Sequence, residues 1–140
     1  MEPKSFIIHR LVKSEDLNHH GSLFAGRGAE WMVEAGFIAA ASLLNPKNIV
    51  CLKIHGIEFR NPIRPGQTLC FDARVINTGR TSLTSYVSVS IVNEEKTVVE
   101  GFMTFVYVDE NTLPKPHGIV IEPVSDEDKA LQKRVKELPR

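Results

Sequence analysis

The residues of this chain best equipped for chemistry lie close together near its amino end. Asp16, Asn18, His19, His20, Gly21, Ser22, Ala25 and Gly26 are followed, after a short interval, by Glu30 and Glu34. The group combines an amide that both donates and accepts, two imidazoles that titrate near neutrality, and small residues that let a ligand approach the main chain. Residues 27–44 are almost wholly apolar and read as about five turns of helix. A polar loop feeding such a helix sets unpaired N–H groups and partial positive charge beside these side chains. An oxygen that becomes negative during a reaction is stabilised there, so the pattern points to an oxyanion site served by a nearby base. The competing reading has Asn18 and Ser22 capping the helix and nothing more.

Something larger must hold that helix. Projected at about 100° per residue, Gly26, Ala29, Val33, Phe37 and Ala40 share one face, while Arg27, Glu30 and Glu34 gather on another. So small a polar face predicts burial on several sides. The chain downstream supplies apolar runs at 48–59, 68–77, 81–92 and 97–108, with a bulge expected at Gly56 and turns around Pro62, Pro65 and Gly66 and at 93–96. Leu69, Phe71, Ala73 and Val75 alternate along one run, and Leu83, Val87, Val89 and Ile91 along the next. Residues 5–12 make a further strand, with Phe6, Ile8 and Arg10 on one side. The expected fold class is α+β, one long central helix wrapped by a five- or six-stranded antiparallel sheet.

Composition sets the limits. A chain of 140 residues that is 42% hydrophobic can build one core without staples. Lys plus Arg and Asp plus Glu both total 17, so no basic footprint for nucleic acid exists. Residues 1–4 lack the apolar core of a signal peptide and no run has the length of a membrane span, so the chain reads as cytoplasmic. Cys51 and Cys70, on strands and without metal-ligand spacing, read as buried free thiols, and no metal site is expected. Pro114, Pro116, Gly118 and Pro123 predict an extended segment, and Ser125 followed by three acids, with Lys133, Arg134 and Lys136 beyond, predicts a short charged helix aligned with its dipole. The expected organisation is a domain over 1–118 and an extension over 119–140. A helix this apolar also predicts self-association.

Four segments resemble one family. Asn18-x-x-Gly21-x-Leu23-Phe24-Ala25-Gly26, with Trp31-Met32-x-Glu34-Ala35, resembles the active-site loop and central helix of the hotdog-fold acyl-CoA thioesterases. Phe59-Arg60-Asn61-Pro62-Ile63-Arg64-Pro65-Gly66 is similar to the strand and turn that follow in that family. Gly79-Arg80-Thr81-Ser82 is similar to its coenzyme A contact at a strand start, and Phe105-Val106-Tyr107-Val108-Asp109 with Pro114-Lys115-Pro116 to its last strand and exit. The resemblance spans residues 5–118. It implies a hotdog fold, hydrolysis of acyl-CoA with no cofactor beyond the coenzyme A of the substrate, and a homo-oligomer, either a dimer or a trimer of dimers.

Carried over position by position, the resemblance gives Asn18 the placing of water or thioester and the Ala25 N–H, with Gly26 beside it, the polarising of the carbonyl. Arg60, Arg80, Thr81, Ser82 and Lys115 would meet coenzyme A, and Ala29, Val33 and Phe37 would line the acyl pocket. The family's catalytic carboxylate falls at Val33, and valine neither accepts a proton nor attacks a carbonyl. The base would then be Glu34, about 100° further round the helix, or His19 or His20, with Asp16 able to orient an imidazole. Two other functions stay open. One is an acyl-CoA-binding protein that lacks the acid; the other is a dehydratase or hydratase of the same fold, whose acyl-carrier-protein members share the thirteen residues between His20 and Glu34 but carry loop glycines and prolines absent here.

Overall fold

In order along the chain come β1 (Phe6–Leu11), α1 (Ala25–Ala41), β2 (Ile49–Phe59), β3 (Thr68–Thr78), β4 (Ser82–Ile91), β5 (Thr97–Tyr107) and α2 (Asp126–Lys136). They are seen in a computed structural model that describes residues 1–139. The strands form one antiparallel sheet in the order β1-β3-β4-β5-β2. Hairpin connections keep β3, β4 and β5 adjacent, while β2, which precedes them in the chain, pairs outside β5 and becomes an edge.

Two-residue alternation sorts the sheet into two faces. Phe71, Ala73, Val87, Val89, Met103 and Phe105 belong to the core under α1, whereas Ile76, Tyr86 and Phe102 form a second cluster with Leu131 of α2. The five strands of the expected five or six are all accounted for, and the expected bulge at Gly56 is present together with a second between Cys51 and Lys53.

The helix differs from its expected limits and burial. It begins at Ala25 and ends at Ala41, where the Ser42 hydroxyl donates to Ala39 O at 2.7 Å and the chain turns toward Pro46, which disfavours helical geometry at Asn45. Its buried stripe is Gly28, Trp31, Met32, Ala35, Gly36, Ala39 and Ala40. Val33 and Phe37 are half-buried, and Glu30, Glu34 and Ile38 are exposed. One sheet can cover only one side of a cylinder. Close approach sets which side: a Cβ on Gly28 would stand 3.3 Å from Cε1 of Phe59, and one on Gly36 would run into the Met103 sulfur.

Edge placement of β2 also corrects the cysteines. Both are free: Cys51 is exposed because β2 has a neighbour on one side only, while Cys70, on the interior strand β3, is half-buried. Val50, Leu52 and Ile54 of the same strand are exposed too.

Residues 111–123 return across the sheet edge. His117 Nε2 donates to Ser82 O at 2.9 Å and its Nδ1 accepts from Ile119 N at 2.9 Å, which fixes the orientation of the ring. Ser125 caps α2 by accepting from Asp128 N at 3.1 Å. Arg74 of β3 then holds Asp128 at 2.7 Å and Glu127 at 2.9 Å. Among the described residues no helix is long and apolar enough to cross a membrane.

Candidate active site

The loop before α1 is tied at both ends by Asp16. This residue is 2% exposed; its Oδ2 accepts from Lys13 N at 2.9 Å, its Oδ1 lies 3.4 Å from Arg27 Nη1, and its main-chain oxygen accepts from Phe24 N at 2.9 Å. Asp16 therefore orients no histidine, contrary to expectation: its carboxylate is already occupied by Lys13 N–H and Arg27.

Asn18 organises what lies between. Its Oδ1 accepts from His20 N at 2.8 Å and Ser22 N at 3.2 Å, and its main-chain N–H donates to Ser22 O at 2.8 Å. Gly21, at φ +77°, makes the reversal that a side chain would resist. Neither Asn18 nor Ser22 caps the helix, because the N-cap is Phe24, which has no side-chain acceptor. Arg27 N and Gly28 N donate to Phe24 O at 3.0 and 3.2 Å. The N–H groups of Ala25 and Gly26, both exposed, have no acceptor among the described residues.

Ala25, but not Gly26, borders a cleft of about 290 Å³ that is also lined by Asn18, Ser22, Phe59, Arg60 and Asn61. The Phe24 ring leans over Gly26 so closely that a Cβ there would lie 2.6 Å from Cε2. That ring is 55% exposed and can swing aside, so the crowding does not by itself demand a glycine at residue 26.

A second, apolar groove of about 460 Å³ runs along the uncovered side of α1, between Val33, Glu34 and Phe37 of the helix and Cys51 and Phe105 of the sheet. Its wall is firm, since Phe37 meets Phe105 edge-on with centroids 5.8 Å apart. Glu34 sits at the rim, its side chain 51% exposed, 3.3 Å from Arg10 Nη2. Arg10 in turn lies over the Trp31 ring at 5.4 Å. His19 and His20 are exposed, with ring centroids 3.9 Å apart and planes tilted by 43°. Within one chain, then, Asn18 and Ala25 share one cleft, Val33, Glu34 and Phe37 share another, and the histidine rings border neither.

The residues expected to meet coenzyme A are also divided. Arg60 lines the Ala25 cleft, but its Nε lies 3.4 Å from Glu58 and its Nη2 3.2 Å from Glu100. Arg80 is exposed beside His117 and Gly118 in a separate cleft of about 400 Å³. Thr81 O accepts from Tyr107 N, and Ser82 O from Gly79 N, so the main chain of both is engaged at the start of β4. Lys115 lies over the Tyr107 ring at 4.7 Å. Phe59 pairs with Val99 and Ser82 with Val106, at opposite ends of β5. At about 3.3 Å per residue, roughly 20 Å separates the two arginine-bearing ends.

Sequence reasoning missed the polar cluster on the outer face. Glu100, 8% exposed, accepts from Arg134 Nη2 at 2.6 Å and from Tyr86 OH at 2.9 Å. Burial pushes its carboxyl up, but the bonds from Arg134 and Tyr86 and the charges of Arg134 and Arg60 outweigh burial and hold it below the ordinary value. Burial, then the bond and charge of Glu100, push the Tyr86 hydroxyl up to about 12. The available signal was a lone acid inside the apolar run 97–108.

The fold and the loop together define a class. A model of the thioesterase superfamily matches residues 20–100, and this chain belongs to that superfamily. The acyl-CoA thioester hydrolase YciA of Salmonella typhimurium is 24% identical over 117 residues, covering 79% of this chain and 87% of that protein. Among solved structures, an apo-hexameric acyl-CoA thioesterase is 32% identical with a TM-score of 0.86, covering 95% of this chain and 86% of its own. An acyl-CoA hydrolase from Bacillus cereus is 26% identical at a TM-score of 0.87, covering 95% and 82%. The expected hotdog architecture, a helix cradled by a five-stranded antiparallel sheet, is borne out.

Proposed function

We propose that this chain hydrolyses acyl-CoA thioesters to a carboxylic acid and free coenzyme A. The observation that carries the reading is the unpaired N–H of Ala25 at the start of α1, a residue that lines one cleft with Asn18. A thioester carbonyl oxygen accepting from Ala25 N–H gains stabilisation as water adds and the oxygen becomes an anion; one such donor is worth about 100-fold or more in rate. Collapse of the tetrahedral adduct expels the thiolate. The base takes a proton from water and returns it to the sulfur.

Glu34 is the base in this reading. Its pairing with Arg10 is half-exposed and therefore weakly held, so the carboxylate is free to act; because one chain keeps it in a different cleft from Ala25, it serves a carbonyl held at the Ala25 of a second copy. Val33 and Phe37 provide the apolar wall for the acyl chain.

The site is shared between copies. The exposed edge of β2, with Val50, Leu52 and Ile54 exposed by 37%, 67% and 47%, suits antiparallel pairing with the same strand of a second copy. Such pairing reverses the second sheet, which brings the Arg80 end of one copy beside the Ala25 end of the other and roofs the Val33 groove. A dimer of this kind, or a trimer of such dimers, joins arginines that one chain keeps at opposite ends, for the phosphates of coenzyme A. The hexameric state named for a 32% identical relative supports the larger assembly.

Val33 favours a second reading, an acyl-CoA-binding protein without turnover. Thiol release from a panel of short to long acyl-CoA esters separates the two, run on the wild type, Asn18→Ala, Glu34→Gln and His20→Ala. Turnover lost in Glu34→Gln with folding intact identifies the base; turnover lost in His20→Ala instead moves that role to the loop. Binding without release makes the chain a binding protein, and hydration of an enoyl-CoA would make it a hydratase.

A further inference from the structure

Arg60 belongs both to the cleft at Ala25 and to the polar cluster beneath α2. In the cleft it stands with Asn18 and Asn61. On the other side its Nη2 reaches Glu100 Oε1 at 3.2 Å, and the same oxygen takes Arg134 Nη2 at 2.6 Å, while Tyr86 OH occupies Oε2. The remaining partner of Arg60, Glu58, is 69% exposed and well screened by solvent. One carboxylate cannot neutralise two guanidinium groups. Arg134 is the nearer, and it is held in place, its guanidinium 4.9 Å from the Phe102 ring centroid and its helix anchored by Leu131 on Ile76, Tyr86 and Phe102. Glu100 is thus taken up mainly by Arg134, and Arg60 keeps positive charge at the cleft.

We propose that α2, through Arg134 and Glu100, is a positioning element for Arg60 and thereby sets how strongly the cleft holds the phosphate-bearing part of its substrate. The inference rests on the acyl-CoA reading and deepens it. Arg134 touches no substrate. Without it, Glu100 becomes the partner of Arg60 alone, cancels its charge and draws the guanidinium toward the sheet.

The test is titration calorimetry with free coenzyme A, alongside KM and kcat for an acyl-CoA and for the N-acetylcysteamine thioester of the same acyl group, which has no phosphate. Arg134→Met weakens coenzyme A binding and raises KM for acyl-CoA by about threefold, the scale of a partly exposed ion pair, with kcat and the KM of the truncated thioester unchanged. In an Arg60→Met background the same change adds nothing. Glu100→Gln, which removes the competing carboxylate, shifts coenzyme A binding in the opposite direction and gives an independent reading if Arg134→Met fails to fold. Equal effects on both thioesters, an undiminished effect without Arg60, or weaker binding in Glu100→Gln would each overturn the proposal. A wild type that neither binds coenzyme A nor cleaves its esters removes the acyl-CoA reading and this coupling together. Binding that Arg134→Met leaves unchanged removes the coupling alone.

Discussion

The amino end of α1 and the outer face of the sheet are both polar, and they treat polarity in opposite ways. At α1, main-chain donors at Ala25 and Gly26 lack acceptors and the Glu34–Arg10 pair stands half in solvent. Under α2, Glu100 takes Arg134, Arg60 and Tyr86 at once, and Asp128 is fixed by Arg74 at 2.7 Å. Hydrogen-bonding capacity left unused at a concave surface is available to a ligand, whereas side chains paired with one another in a buried cluster mainly specify packing. The difference separates residues that act from residues that hold, and it yields ordered predictions.

The sharpest break comes from Asn18→Ala. Because Asn18 closes the loop and does not cap the helix, its removal lowers kcat/KM for acyl-CoA by about 100-fold while circular dichroism shows unchanged helix content. A loss of helix signal would mean that the loop serves the fold.

Next is Arg74→Met, in the cluster under α2. It leaves the buried Asp128 without its cation and costs about 2 kcal/mol in urea unfolding, with kcat/KM unchanged. A drop in turnover instead would show that the two regions are not separable at this residue.

Tyr86→Phe gives a smaller, pH-dependent effect. The Tyr86 hydroxyl is raised from 10.0 to about 12, so the stability it contributes is complete below pH 10 and is lost as pH rises from 10 through 12. The variant unfolds about 1 kcal/mol more easily at neutral pH and shows a flatter alkaline limb in thermal melts, without the late tyrosinate absorbance.

Arg10→Met has the smallest expected cost, about 0.5 kcal/mol or less, because its partner Glu34 is half-exposed and the pair is screened. A larger loss would place Glu34 among the residues that hold the fold and weaken its claim to be the base.

Much of this was legible in the residues themselves. Alternation at Leu69, Phe71, Ala73 and Val75 marked β3 because side chains on a strand point to one face at every second position. Ser125 and its three following acids marked the start of α2, since they complement the helix's own partial charge. The loop 18–26 stood out because Asn18, Gly21 and Ser22 are residue types that favour a tight reversal, set directly before an apolar helix. The burial of α1 was misread because projection gives the apolar arc of a helix but not the width of the surface that covers it. Gly28 and Gly36, where backbone meets Phe59 and Met103, chose the buried side.

The strands, both helices and the loop that carries the unpaired donors can be read from the residues alone, because each follows from local periodicity and turn chemistry. Which of these residues meet is settled by packing. Placing β2 outside β5 exposed Cys51, left an edge for a second copy, and set Arg60 and Arg80 at opposite ends of the sheet. It also brought Glu100, Arg134 and Arg60 together. Such pairings join residues far apart in the chain, and their energy depends on burial and distance, which no run of neighbouring residues encodes.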